Sequence, residues 1–332
     1  MPKPSCLAAW GKHAGRIAPL LVLAIAAASC GEKPQTPPDA AERTAAAPPG
    51  ASAPSSATPD PAAPSAAASA DSAAPGTAVA EMFDAHAAQA EALYDSGRGA
   101  DAERVYRGLL AQQPDHVASL VGLSQILLDR DDLGGASVAI DRALAANPQS
   151  APALRQRVAI QIARDQTKEA VATAQSAVRA HPGSSPLHAA LGDAERAFGD
   201  LPRAIAAYRK ASSLNPEWAP GWTRLGEALA ENGDAAEAEK ALKRALALNP
   251  QSYPAYRALA RMHYENGAPA QAVTEWEAAL RLQPDRGEAH QGLAEALLAA
   301  KRPAEARPHA EAAQRLGRDV QALMRQIDAA AK

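Results

Sequence analysis

The residues best suited to chemistry are arginines and aromatic rings, and the chemistry they suit is recognition. Trp218, Trp222, Tyr253, Tyr256, Tyr264 and Trp276 crowd one stretch of a chain that is only 4% aromatic. Arg257, Arg261 and Tyr264 follow at i, i+4 and i+7, which places them on one face of a helix. Arg and aromatic side chains are the types enriched in binding hot spots. Trp222, Tyr256 and Trp276 fall on the apolar periodicity and are expected to pack. Trp218, Tyr253 and Tyr264 fall off it and are expected to be available to a partner. Covalent chemistry has no comparable candidates. There is no Gly-rich phosphate loop, no H-E-x-x-H and no G-x-S-x-G. Acidic neighbours such as Asp131/Asp132 and Glu237/Glu239 fall near turns or on polar helix faces and read as solvated charge. No catalytic residue, metal, cofactor or small-molecule substrate is expected.

The elements that must carry these residues repeat. Pro114, Pro148, Pro182, Pro216, Pro250 and Pro284 stand 34 residues apart. Pro152, Pro186, Pro220 and Pro254 keep the same step, as do Ala102, Ala136, Ala170, Ala204, Ala238, Ala272 and Ala306. A fixed period of this length marks a stacked array. In the unit from Ala219 to Ser252, Trp222, Leu225 and Leu229 form one helical stripe. Gly233 suits a turn that needs positive φ. Ala238, Leu242, Ala245, Leu246 and Leu248 mark a second amphipathic helix. Asn249-Pro250 ends it, because a proline ring disfavours α geometry at the residue before it. Gly226, Ala238 and Ala245 allow two backbones to approach closely. His86, His188 and His290 share one position of this frame but lie whole units apart, too far to bind one metal.

The W-x-x-L-G at 222–226, followed by Gly233, Ala238, Leu242, Ala245 and Pro250, resembles the tetratricopeptide repeat family. The resemblance implies an all-α, right-handed superhelical solenoid of helix-turn-helix repeats. Seven units are expected, at about 83–116, 117–150, 151–184, 185–218, 219–252, 253–286 and 287–320. It also implies that the first helix of each unit lines a concave groove, with repeat positions 2, 5, 9 and 12 facing it. Those positions hold Gln125, Leu128, Arg155, Asp193, Arg196, Glu227, Arg257, Arg261 and Tyr264. The Lys/Asn set that grips a peptide's terminal carboxylate in some relatives is absent from the matching positions. The candidate partner-binding residues are therefore Arg155, Arg196, Trp218, Tyr253, Arg257, Arg261 and Tyr264. The expected ligand is a protein or peptide segment.

Several units depart from the pattern. In the first, His86 and Gln89 replace large apolar residues, as suits an end with no neighbour. The third places Arg157 and Gln161, and the fourth Glu195, at core positions. The seventh has Arg318 where a proline would close it. Val320, Leu323, Met324 and Ile327 then form a stripe that predicts a capping helix within 319–332.

Residues 1–29 read as an export signal, with Lys3, Lys12 and Arg16 before a 13-residue apolar stretch, Ile17–Ser29. That stretch falls short of the ~20 residues needed to span a bilayer. Ala27-Ala28-Ser29-Cys30 resembles the lipobox of bacterial lipoproteins. The resemblance implies cleavage before Cys30, lipidation of its thiol, and, with Gly31 following, retention on the periplasmic side of the outer membrane. Cleavage after Ala28, giving a soluble periplasmic protein, is the alternative. The only other cysteine is Cys6, so the repeats hold no disulfide framework. Residues 30–80 read as a linker: ten prolines fall among many Ala and Ser, a composition that cannot bury enough apolar surface to offset ordering.

The formal charge is −3 with a pI near 6.3. Loss of the three leader cations leaves 31 Lys+Arg against 37 Asp+Glu. That balance argues against a general nucleic-acid binder. Membrane contact is expected through the lipid anchor only. Two roles fit: a scaffold lipoprotein holding components of a secretion, pilus or envelope assembly, or a chaperone-like binder of exported chains, such as those awaiting cytochrome c maturation. A stoichiometric partner distinguishes the first, capture of heterogeneous unfolded chains the second.

Overall fold

The computed structural model describes residues 75–331. The export signal, Cys30 and the linker up to residue 74 lie outside the described residues. Fifteen α-helices follow one another within them: α1 (Pro75–Asp95), α2 (Gly99–Gln112), α3 (Val117–Asp129), α4 (Leu133–Ala146), α5 (Ala151–Ala163), α6 (Thr167–Ala180), α7 (Ser185–Phe198), α8 (Leu201–Leu214), α9 (Ala219–Glu231), α10 (Ala235–Leu248), α11 (Tyr253–Glu265), α12 (Pro269–Leu282), α13 (Gly287–Ala299), α14 (Pro303–Arg315) and α15 (Gln321–Ala330). α1 starts at Pro75, inside the segment 30–80 expected to be linker. Proline content marked that boundary, but the last proline of the run occupies the first position of a helix, where its missing N–H costs nothing.

Each odd-numbered helix from α1 to α13 forms a hairpin with the even-numbered helix after it. Odd helices also pack on the next odd helix, whereas even helices do not pack on one another to a comparable extent. The hairpins therefore crowd along the odd side and splay along the even side, which makes the odd helices the inner, concave wall. α15 closes the array on α13 and α14, burying Leu323 and Ile327.

The 34-residue rows explain the stacking. The seven alanines from Ala102 to Ala306 are all 0% exposed, so no larger side chain fits where the two helices of a hairpin meet. Four residues later, in four of the units, a bulky side chain fills the space beside a glycine: Tyr106 by Gly122, Tyr208 by Gly192, Leu242 by Gly226 and Trp276 by Gly292. A Cβ on Gly226 would come within 2.5 Å of Leu242 Cγ, and one on Gly122 would run into the Tyr106 ring. The turn inside every hairpin has one residue at positive φ. Gly97, Gly199, Gly233 and Gly267 take it without strain; Asp131, Asp165 and Lys301 take it at φ 61–64°.

The units are also tied end to end. Trp222 Nε1 donates to the Pro216 carbonyl at 2.9 Å. His188 Nε2 and His290 Nε2 reach the carbonyls of Pro182 and Pro284 at 3.0 and 2.9 Å. A carbonyl only accepts, so both histidines carry their proton on Nε2 there. They serve the packing as the tryptophan does, fastening each unit to the proline that closes the one before.

Candidate partner-binding groove

The concave wall has two unlike halves. From α7 onward it is crossed by a diagonal of ion pairs. Arg196 on α7 bonds Glu231 on α9 at 2.7 Å and approaches Glu227 at 3.4 Å. Glu227 accepts from Arg257 on α11 at 2.9 Å, and Arg257 lies 3.8 Å from Glu288 on α13. Arg196, Glu227, Arg257 and Glu288 thus descend one helical turn with each unit. Burial would lower the Arg196 pKa, but Glu231 and Glu227 outweigh it and hold the guanidinium above its ordinary value. Beside this diagonal, Asp193 accepts from Tyr208 at 2.7 Å and pairs with Arg224 at 3.3 Å.

The other half is open. A groove of about 850 Å³ runs along α1, α3, α5 and the start of α7 and ends at Trp218. Arg155 lies at its middle. Arg155 and Arg257 occupy the same repeat position three units apart, and Gln125 stands where Arg257 finds Glu227. The Gln125 amide instead donates to Asp129 at 3.0 Å, and Asp129 also accepts from the Tyr94 hydroxyl. Burial, then the bond to Asp129, pushes the Tyr94 pKa up to about 12. Arg155 forms no ion pair or hydrogen bond among the described residues and remains open to solvent. Desolvation by nearby atoms, then repulsion by Arg224, lowers its pKa against the weaker opposing pull of the Asp193 and Glu91 carboxylates. Next to it, Gln156 is 2% exposed, lines the groove, and has no partner for its Nε2. Glu91 and Asp95 line the α1 end.

The sequence-based candidates separate accordingly. Arg155 and Trp218 line the groove, Trp218 with Arg224 over its ring at 5.8 Å. Arg196 and Arg257 are on the concave wall but are occupied by carboxylates. Tyr253, expected to be available, is 8% exposed; it packs in the C-terminal core with Arg286 5.5 Å from its ring centre. It is the first residue of α11, outside the helical stripe, and the turn before α13 covers it. Arg261 is exposed and, among the described residues, pairs only with Glu265, one turn along its own helix. Tyr264 is exposed too, and neither lines the groove. Sequence reasoning missed Gln156, Glu91 and Asp95. Gln156 had a signal: its repeat position is held by small residues in five other units, Ala88, Gly122, Ala190, Ala258 and Gly292, with Arg224 the other exception.

A second hollow, about 700 Å³, lies among α8, α9 and α10 and is lined by Trp222, Leu229, Lys240 and Arg244. The described residues contain no group of three or more side chains placed to hold a metal, and no helix long and apolar enough to cross a membrane.

Family models described as tetratricopeptide repeat match residues 93–160 and 195–262, and residues 160–219 and 257–320. Together they run without a gap from 93 to 320. The chain belongs to the tetratricopeptide repeat family. No curated protein matches it in a sequence search. Among solved structures it resembles a chain of the Cut9–Hcn1 hetero-tetramer of APC/C, at 16% identity and a TM-score of 0.64, over 75% of this chain and 49% of that one. The chain thus spans about half the length of that relative. It also resembles a tetratricopeptide repeat protein from Parabacteroides merdae, at 14% identity and a TM-score of 0.53, over 76% of this chain and 100% of that one. At these identities the likeness is one of fold: an all-α solenoid of a family that in general binds proteins and does no catalysis.

Proposed function

We propose that this repeat protein is a scaffold that holds a partner's extended segment in the groove of its first four units. It does so from the periplasmic face of the outer membrane, anchored through lipid on Cys30, within a secretion, pilus or envelope assembly. The observation that carries the docking site is the open groove itself, concave, about 850 Å³, with an unpaired arginine and an unpaired buried amide at its middle. The anchor rests on the apolar leader and the Ala27-Ala28-Ser29-Cys30 sequence. A general capture site for unfolded chains needs a broad apolar surface. The exposed large apolar residues here, Val79, Met82, Val138, Phe198, Tyr264 and Leu316, are scattered instead. That favours a defined partner.

A photo-crosslinking residue at Val121, in the groove, tests the docking site in intact envelopes against one at Val138 on α4, which is 61% exposed. A discrete adduct at 121 and none at 138 is expected. Equal adducts, or a smear of many chains at 121, would refute the scaffold. Palmitate labelling that survives Cys30→Ser would refute the anchor.

A further inference from the structure

Resting on the scaffold reading, the groove's own chemistry narrows what it holds. Its middle offers hydrogen-bond donors and positive charge: the Arg155 guanidinium, unpaired among the described residues, and the buried Nε2 of Gln156. A buried donor without an acceptor costs about 1–3 kcal/mol, and an incoming oxygen removes that cost. The α1 end offers the opposite, the carboxylates of Glu91 and Asp95; Glu91 lies within electrostatic reach of Arg155 but forms no ion pair with it. We infer that the groove is selective for an extended peptide segment bearing an acidic side chain, which meets Arg155 and Gln156, and a basic side chain, which meets Glu91 and Asp95.

Spacing follows from helix packing. α1 packs on α3 and α3 on α5, so α1 and α5 are two packing steps apart. Packed helices lie about 8–10 Å apart, and an extended chain advances about 3.3 Å per residue. The curve of the wall shortens the path on its inner side. The acidic and basic residues of the ligand are therefore at most about six positions apart. A segment with acids alone meets Glu91 and Asp95 unfavourably, and one with bases alone leaves Arg155 and Gln156 unmet.

The repeat supplies the control. Arg257 is held by Glu227, and Glu227 has Gln125 as its counterpart three units earlier. Gln125→Glu, nearly isosteric, gives Arg155 the same internal carboxylate and leaves Arg155 and Gln156 themselves in place, at the expense of the Gln125 bond to Asp129. The experiment is selection of random twelve-residue displayed peptides on the full mature chain, followed by titration of the enriched peptides against the parent, Gln125→Glu and Gln156→Leu. Enriched peptides are expected to pair Asp or Glu with Lys or Arg within about six positions. Gln125→Glu is expected to weaken them at least tenfold, with a small loss of thermal stability because the new carboxylate faces Asp129 in place of the amide that donated to it, and Gln156→Leu several-fold. Enrichment without the charge pair, no enrichment, or equal affinity for Gln125→Glu overturns the inference. A discrete adduct at Val121 in the envelope alongside any of those results leaves the scaffold standing and removes only the charge pattern. Patterned peptides without any adduct do the reverse.

Discussion

Arg155 and Arg257 are the same position of the same unit, set three units apart, yet Arg257 is a strut and Arg155 forms no ion pair or hydrogen bond among the described residues. Glu227 reaches Arg257 at 2.9 Å; the residue in Glu227's place before Arg155 is Gln125, which turns to Asp129 instead. An amide in place of a carboxylate separates the two halves of the concave wall. In the C-terminal half, arginines of successive units are consumed in joining those units. In the N-terminal half, Arg155 on the same face forms no ion pair with a neighbouring unit among the described residues. Hot-spot residue types alone therefore do not locate a docking surface, because the count that matters is of unsatisfied groups.

Glu227→Ala should give the largest effect on that contrast. It strips Arg196 and Arg257 of a shared half-buried acid, and a loss of about 2 kcal/mol is expected, less than for a fully buried pair. Gln125→Ala, its counterpart, should change stability by less than about 0.5 kcal/mol. Because arrays unfold in parts, the readout is hydrogen exchange along α9 and α11 against α3 and α5. Equal losses at the two sites would erase the distinction between the two arginines. Gln156→Leu should raise stability by about 1 kcal/mol in urea, since it removes a buried donor with no acceptor; a loss would mean that the amide has a structural task.

Smaller effects sharpen the picture of the C-terminal half. Lys301→Gly relieves a left-handed backbone position that the other units fill mostly with glycine, and should add about 0.5–1 kcal/mol by thermal melting. His309 contributes least. Burial, then neighbouring His290, lowers its pKa below 6.5. The unfolded chain therefore takes up that proton first as pH falls, and the stability contributed above pH 6.5 is lost as pH drops toward the folded value. His309→Phe should flatten the acid side of the stability–pH curve near α13 and α14, with no change above pH 7.5. An unchanged slope would remove His309 as its source.

The array was legible because its determinants are local and repeated. The alanine row, the closing prolines and the turn residues each act within one hairpin, and the structure buries every alanine of the row completely. The docking face was only partly legible. Arg196, Glu227, Arg257 and Glu288 lie 30 or 31 residues apart, one unit on and one turn back, so their pairing follows a diagonal that a single unit does not display. Tyr253 looked available because it lies off the helical stripe, but a neighbouring turn covers it. Gln156 could have been found as one of two large polar residues, with Arg224, on a row otherwise of glycine and alanine. Glu91 and Asp95 lie on α1, in the most irregular unit, where deviation from the repeat read as end-capping and masked charges that face inward.

The row of left-handed turn residues has a consequence for the lineage of the chain. Where Asp131, Asp165 and Lys301 now hold that backbone, the hairpin keeps its shape through the contacts around it and no longer through the ease of its tightest residue. Copies made from such a hairpin would inherit the strain but not the neighbours that bear it. Lengthening the array by duplicating the second, third or seventh hairpin should therefore yield poorer proteins than duplicating the fifth, whose bend is already relaxed at Gly233.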